Sequence, residues 1–258
     1  MKGCDLLKII ISKTPQEASE FVSEKIMNLT GSRTNPVLGL ATGGTPKGVY
    51  RHLTKSYEQG DVDFSHVKTF NLDEYVGLSA DHPQSYRYYM NHFLFNHVNI
   101  PQTNIDIPSG TANDLDAECK RYDKNIEAAG GIDLQLLGIG HNGHIGFNEP
   151  ADTLQFKTHI TTLDDATVQA NARFFDTQEH VPTQAITMGV EPIMTAREVI
   201  LMAFGSDKAN ILADVIFAKE LSTSVPATIL RLHPNVTVVM DEAAASTYRQ
   251  RLKEEGIQ

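Results

Sequence analysis

Short apolar runs alternate with amphipathic stretches along most of the chain. The apolar runs predict strands at residues 6–11, 37–40, 67–72, 134–139, 185–188, 199–204 and 236–240. The amphipathic stretches predict helices at residues 15–27, 46–57, 85–95, 113–129, 208–217 and 246–254. Strands and helices that alternate in this way are typical of an α/β fold, with a mostly parallel sheet and helices on both faces.

Residues 152–182 do not follow this alternation of strands and helices. The segment is polar, weakly periodic and long for a connection between two elements. Segments of this kind often close over a binding site, so we predict a lid here.

Composition narrows the class of protein. The chain of 258 residues carries 22 Lys and Arg against 32 Asp and Glu, a net charge of −10, which disfavours non-specific nucleic-acid binding. Its two cysteines, Cys4 and Cys119, cannot form a disulfide framework, and together with the missing signal peptide they predict a cytoplasmic protein. No apolar run approaches the roughly 20 residues that span a bilayer, so we expect no membrane association.

A glycine-containing loop follows the strand predicted at residues 37–40, at the sheet edge where α/β proteins bind ligands. It contains Gly43, Gly44 and Thr45 and leads into a helix, so its backbone N–H groups can hold a phosphate. A tight turn without a ligand remains the alternative.

Two carboxylates, Asp73 and Glu74, follow the strand predicted at residues 67–72. A carboxylate at a strand end can act as a general base. From the pattern alone, however, a helix N-cap at Asp73 with Glu74 in solvent is the better interpretation of this pair.

Residues 138–150 form the most informative stretch. A predicted buried strand gives way to glycines interleaved with His141, Asn142, His144 and Glu149. Glycine at this density lets a loop fold back so that titratable groups converge, and histidine is the side chain best suited to proton transfer near neutral pH. A metal site is less favoured, because no cysteine or paired carboxylate lies at a compact ligand spacing.

Two cations lie further along the chain. Arg173 lies within the predicted lid, and Lys208 follows the strand predicted at residues 199–204. Either can clamp a phosphate, although a lone cation is usually a solvated surface charge.

Three strings in this chain resemble, in order and spacing, the glucosamine-6-phosphate deaminase (glucosamine/galactosamine-6-phosphate isomerase) family. They are Thr-Gly-Gly-Thr-Pro at 42–46, Asn-Leu-Asp-Glu-Tyr at 71–75 and Gly-His-Ile-Gly-Phe-Asn-Glu-Pro at 143–150. The resemblance covers nearly the whole chain. It implies a modified Rossmann-like single domain over residues 1–258 without a metal or redox cofactor. It also implies a hydrolase or isomerase of amino-sugar catabolism that converts glucosamine 6-phosphate and water to fructose 6-phosphate and ammonia.

The resemblance further implies roles for individual residues. Asp73 would move a proton between C2 and C1 of the sugar, and His144, supported by Glu149, would open the ring. The positions that match the phosphate side of the family's site are Gly43, Gly44, Thr45, Arg173 and Lys208.

One position departs from many members of the family, which have Asp where this chain has Asn142. We expect Asn142 to accept the imidazole N–H of His144 and so fix its tautomer without adding charge. Glu149 alone would then stabilise the imidazolium.

Two other functions stay open. A phosphogluconolactonase-like hydrolase would share the fold and would not need a carbon-proton base. A sugar-phosphate-sensing module would need a DNA-binding helix-turn-helix, which is disfavoured because the chain begins on a predicted strand. We expect a small-molecule substrate and neither a nucleic-acid nor a membrane partner, and a homo-oligomer remains open.

Some deaminases of this family are activated by N-acetylglucosamine 6-phosphate at a second phosphate site, which uses basic residues after the Asn-Glu-Pro string. Residues 151–163 here offer only Lys157 and His159. One full charge is a weak anion trap, so we predict that this activation is absent.

Overall fold

The computed structural model describes residues 7–164, 168–169 and 181–256. The strands in this part are β1 (Leu7–Ser12), β2 (Val37–Leu40), β3 (Lys68–Asn71), β4 (Asp73–Tyr75), β5 (Ile105–Asp106), β6 (Leu134–Leu137), β7 (His159–Thr162), β8 (Gln184–Thr187), β9 (Glu198–Ala203) and β10 (Val236–Asp241). The α-helices are α1 (Pro15–Ser32), α2 (Lys47–Glu58), α3 (Tyr86–Phe93), α4 (Leu115–Ala128), α5 (Val190–Met194), α6 (Ala209–Ile216) and α7 (Ser246–Glu254).

Seven strands form a parallel sheet in the order β1-β10-β9-β6-β2-β3-β5. Helices α1, α2 and α3 contribute to the apolar core on one face, and α4, α6 and α7 to the core on the other. The central strands are mostly apolar because both of their faces are buried, and the few polar side chains in them, such as Gln135 in β6, are buried as well. The predicted α/β fold with a mostly parallel sheet is confirmed.

A second, antiparallel sheet has the order β4-β8-β7. The apolar run predicted as a strand at residues 185–188 lies here, as β8, rather than in the main sheet. Only Leu72 separates β3 from β4, so the small sheet begins at the carboxyl edge of the main one. In its register, Asp73 pairs with Thr187 and Tyr75 with Ala185.

Two predictions about local structure are wrong. Asp73 does not cap a helix; it opens β4 and is buried, as is Glu74. Helix α1 continues to Ser32 instead of ending near Met27, because its inward-facing positions continue through Thr30. Its predicted start is confirmed, since the Thr14 hydroxyl accepts the N–H of Glu17 at 3.2 Å.

The predicted lid at residues 152–182 falls partly outside the described residues, and Arg173 lies outside them. In the described part, β7 forms the outer strand of the small sheet. Thr158, just before β7, donates both its backbone N–H and its hydroxyl to the buried carboxylate of Asp123 on α4. The start of this segment is therefore attached to the main body of the fold, and closure of the rest stays a prediction.

Within the described ranges, no helix is long and apolar enough to cross a membrane.

Candidate active site

The loop after β6 folds back over the end of its own strand. The Gly140 N–H donates to the His144 carbonyl at 2.9 Å, and the Gly143 N–H donates to the Gly140 carbonyl at 3.1 Å. The His144 ring lies against Gly140 so closely that a β-carbon there would come within 2.4–2.5 Å of three ring atoms. Glycine at position 140 is therefore required for the imidazole to lie over the strand end.

His144, Glu149 and Asn142 form one hydrogen-bonded group. The His144 Nδ1 atom lies 2.9 Å from Glu149 Oε2, and the Asn142 amide donates to the same oxygen at 2.8 Å. Because a carboxylate can only accept, His144 carries its proton on Nδ1 in the neutral form, which leaves Nε2 able to accept a proton from a ligand.

The expected contact between Asn142 and the imidazole is wrong. The Asn142 side-chain oxygen accepts the backbone N–H of His144 at 3.2 Å, while its amide nitrogen donates to Glu149. Glu149, rather than Asn142, orients the ring. Asn142 therefore acts on His144 indirectly, through Glu149. Its amide fixes the Glu149 carboxylate and partly offsets the negative charge on the oxygen that accepts the imidazole N–H.

Asp73 faces the same loop from β4. A β-carbon placed on Gly146, whose φ is +60°, would lie 3.7 Å from Asp73 Oδ2. Asp73 is 5% exposed, and this burial, followed by the charge of Glu74, raises the pKa of Asp73 to about 8. A carboxyl group whose pKa lies near the working pH can take a proton from carbon and return it.

Strand β8 holds the Asp73 strand and the histidine loop together. The Thr187 hydroxyl, opposite Asp73 in the register, accepts the Phe147 N–H at 3.0 Å. The Met188 N–H donates to the Leu72 carbonyl at 2.7 Å, and the Met188 carbonyl accepts from the Asn148 amide at 2.9 Å. Thr187 and Met188 thus fix the β3–β4 junction to the histidine loop, although these two segments are about 70 residues apart in sequence.

Glu74 is not the solvated neighbour that the pattern suggested. It is 3% exposed, and its carboxylate accepts the backbone N–H groups of Tyr75, Tyr86 and Arg87, each at 2.9 Å. These three hydrogen bonds give Glu74 a structural role. Asp73 is therefore the carboxylate of the pair that faces the histidine loop.

Four of the residues predicted on the phosphate side lie after β2 and β9, and the fifth, Arg173, lies outside the described residues. Gly43 has a φ of +96°, and Gly44 and Thr45 share a cleft of about 190 Å³ with Phe204. Lys208 ends the 3-10 turn Ser206–Lys208 that follows β9. The rest of the cleft is lined by α1 and α2, and neither Gly43 nor Lys208 lines it.

The remaining histidine of the loop, His141, lies apart from this group. It is exposed, and its Nε2 atom is 3.4 Å from a carboxylate oxygen of the exposed Asp207. Across the described residues, no cluster of three or more His, Cys, Asp or Glu side chains is arranged to hold a metal ion.

Two tyrosines of α3 that the sequence pattern assigns to packing on a helix face also reach the site. The Tyr89 hydroxyl donates to the Gly43 carbonyl at 2.6 Å, and the Tyr86 ring packs against Tyr75 of β4 and Phe147 of the histidine loop. Their spacing of three residues on α3 placed them on one helix face, a signal that packing alone also explains.

A family model described as glucosamine-6-phosphate isomerases/6-phosphogluconolactonase matches residues 12–240. The chain is 52% identical over 240 residues to a glucosamine-6-phosphate deaminase of Thermoanaerobacter pseudethanolicus, covering 93% of this chain and 94% of the relative. It is 50% identical over 238 residues to the deaminase of Oceanobacillus iheyensis, covering 92% and 95%.

Two solved structures have a fold similar to that of this chain. A monomeric glucosamine-6-phosphate deaminase is 42% identical, with a TM-score of 0.90 and coverage of 93% of this chain and 99% of that one. The 6-phosphogluconolactonase of Thermotoga maritima is 20% identical, with a TM-score of 0.72 and coverage of 92% and 99%. The second likeness concerns the fold alone.

We predict that Thr187→Val destabilises the protein by about 1–3 kcal/mol, because it leaves the buried Phe147 N–H without an acceptor while keeping the side-chain shape. Urea unfolding measures the change. The matched control is Thr162→Val in the same sheet, where the residue is exposed and the change should stay within about 0.5 kcal/mol. Equal unfolding free energies for Thr187→Val and the wild type would contradict the bridging role.

Proposed function

The chain belongs to the glucosamine-6-phosphate isomerase/6-phosphogluconolactonase family, and we propose that Asp73, His144 and Glu149 carry out in it the reaction of its deaminase relatives. The chain is a glucosamine-6-phosphate deaminase, an enzyme of amino-sugar metabolism: relatives that cover more than nine-tenths of it at about half identity have this activity. The net reaction consumes glucosamine 6-phosphate and water and yields fructose 6-phosphate and ammonia.

Ring opening is the task of His144. It requires removal of the proton from the anomeric hydroxyl and delivery of a proton to the ring oxygen. The Nε2 atom accepts the first proton, and the resulting imidazolium delivers one to the ring oxygen. The Glu149 carboxylate, 2.9 Å from Nδ1, stabilises the imidazolium between the two transfers.

Asp73 performs the isomerisation, and its buried position opposite the histidine loop is the observation that carries this proposal. Its carboxylate removes the proton from C2 of the open-chain amino aldehyde, and O1 takes a proton from the C2 ammonium, which gives a neutral enolamine. The Asp73 carboxyl group then returns its proton to C1. The product is an iminium at C2. Water adds to this carbon, and the C–N bond breaks to release ammonia and leave the ketone.

The phosphate takes no part in bond making and serves as a handle. Backbone N–H groups at Gly43, Gly44 and Thr45 and the ammonium of Lys208 bind it, and Arg173 adds a second cation. Binding energy from this remote group orients C1 and C2 against the acid–base residues.

The protein is expected to act in the cytoplasm. A homo-oligomer remains possible, although the chain is similar to a deaminase described as monomeric. Ammonia release from glucosamine 6-phosphate tests the activity directly. Hydrolysis of 6-phosphogluconolactone without ammonia release from the amino sugar would favour the lactonase alternative instead.

Asp73→Asn should lower kcat by about 10³-fold or more with little change in substrate binding, because an amide cannot take the C2 proton. Ammonia release measures turnover, and loss of deuterium exchange at C2 locates the defect. A variant that turns over near the wild-type rate would remove Asp73 from the mechanism.

Stability supplies the folding control for this variant. The folded-state pKa of Asp73, about 8, lies above the value of an unfolded aspartate, so the wild type loses stability as the pH rises through that value. Asn cannot ionise, so Asp73→Asn should have a Tm at pH 9 equal to or above that of the wild type. A lower Tm would mean that the substitution damages the fold and that its kinetics do not report on the base.

Asn142→Asp should move the acid limb of the kcat/KM profile to higher pH. The substitution puts a second carboxylate beside the oxygen that holds the imidazole, which favours the charged ring and delays formation of the neutral base. Asn142→Ala is the matched control, because it removes the amide donor to Glu149 without adding a charge and should therefore shift the limb upward by less than Asn142→Asp does. Coincident profiles for the Asp variant and the wild type would show that position 142 does not act on His144.

Substrate saturation should be hyperbolic, and N-acetylglucosamine 6-phosphate should act only as a competitor. Lys157 lies before β7 and pairs with Glu127 and Glu191, each at 3.1 Å, so a phosphate there would meet two carboxylates. Initial rates with and without that compound test this, and Lys157→Ala should leave the saturation curve unchanged. Sigmoidal kinetics that become hyperbolic on adding the compound would contradict the prediction.

A further inference from the structure

We propose that Glu74 is a positioning residue that fixes the distance between the Asp73 carboxylate and the glycine loop at Gly43, by holding the N-terminus of α3 against β4. The proposal rests on the proposed function for the roles of these two ends, the carbon-proton base and the phosphate handle. Glu74 touches neither of them and acts through α3.

The first link joins Glu74 to the helix. Side chains alternate along a strand, so Asp73 and Glu74 leave β4 on opposite faces. Asp73 faces the histidine loop, while one oxygen of Glu74 accepts the Tyr86 N–H and the other accepts the Arg87 N–H, both at 2.9 Å. These are first-turn donors of α3, which have no partner inside the helix. The carboxylate, moreover, favours the positive end of the helix dipole.

The second link joins the helix to the glycine loop. The Tyr89 hydroxyl donates to the Gly43 carbonyl at 2.6 Å. Lys47, in the first turn of α2, places its ammonium 4.8 Å from the centroid of the Phe93 ring. The loop and the helix that follows it are therefore both attached to α3.

Three aromatic rings also pack β4, α3 and the histidine loop against one another. The rings of Tyr75 and Tyr86 are 4.9 Å apart, and Phe147 of the histidine loop lies 5.8 Å from the first and 6.0 Å from the second. Because α3 contacts β4, the glycine loop and the histidine loop, a shift of its N-terminus moves one end of the substrate site relative to the other.

Glu74→Asp tests this route, since it keeps the charge but shortens the side chain by one methylene and withdraws the acceptor from α3. Calorimetric titration with inorganic phosphate reports on the glycine loop, and steady-state ammonia release reports on alignment of the base. We expect phosphate affinity to fall about tenfold and kcat/KM to fall about 10²-fold, the loss typical of a displacement of about 1 Å at a reacting centre.

The matched control is Glu118→Asp. Glu118 is also a buried glutamate that accepts a backbone N–H, that of Ser109 at 2.8 Å, but it lies on α4. Glu118→Asp should lower the Tm and leave phosphate affinity and KM unchanged. A role of Glu74 in stability alone would give the same pattern for Glu74→Asp and would overturn the proposal.

A double-mutant cycle with Tyr89→Phe identifies the route. Tyr89→Phe removes the hydroxyl bond to Gly43 and keeps the ring. If Glu74 acts through α3, the two losses of phosphate affinity are less than additive, whereas independent, additive losses contradict the route. The phosphate titrations decide this point even if the wild type releases no ammonia, a result that would overturn the proposed function and not the role of Glu74.

Discussion

The antiparallel pairing of β4 with β8 is the constraint on which the site depends. The main sheet is parallel and brings strand ends to one edge, but it does not by itself connect the end of β3 to the loop after β6, because β2 lies between them. Strand β8 supplies that connection through Thr187 and Met188, which bond the histidine loop on one side and the β3–β4 junction on the other. This short strand therefore holds the segment that carries Asp73 against the loop that carries His144.

Placing Asp73 under that strand has a cost to the fold. The carboxyl group is buried, and its pKa of about 8 means that ionisation opposes folding in the range where the base must be ionised to act. Its neighbour Glu74 is just as buried but receives three backbone N–H bonds. Strand alternation thus gives two adjacent carboxylates opposite surroundings, one suited to exchange a proton and the other to hold a helix.

Six of the seven strands of the main sheet could be predicted from the sequence, because each is an apolar run, and the candidate site residues could be assigned to loops at strand ends from their composition. The seventh strand, β5, has two residues and shows no pattern, and the run at residues 185–188 belongs to the small sheet. The sequence was insufficient where an element is short: β4 has three residues, too few to show alternation, so Asp73 was read as a helix cap. The contact between Asn142 and Glu149 could not be predicted from the sequence either, since it depends on which oxygen of Glu149 faces the His144 ring. The part played by Tyr89 depends on where the glycine loop passes over α3, which no spacing within α3 encodes.

The arrangement of charge explains how a chain with a net charge of −10 can orient an anionic sugar. Of the donors proposed for the phosphate, Gly43, Gly44, Thr45 and Lys208 follow β2 and β9, whereas Asp73, Glu74 and Glu149 follow β3 and β6. On the proposed binding mode, a sugar phosphate bound in reverse would place its phosphate against the Glu149 carboxylate, and repulsion between like charges disfavours that orientation. On the proposed mechanism, the productive orientation instead brings the positively charged amino group at C2 towards Asp73. Its charge would favour ionised Asp73, so that binding of the substrate itself prepares the proposed base for the C2 proton.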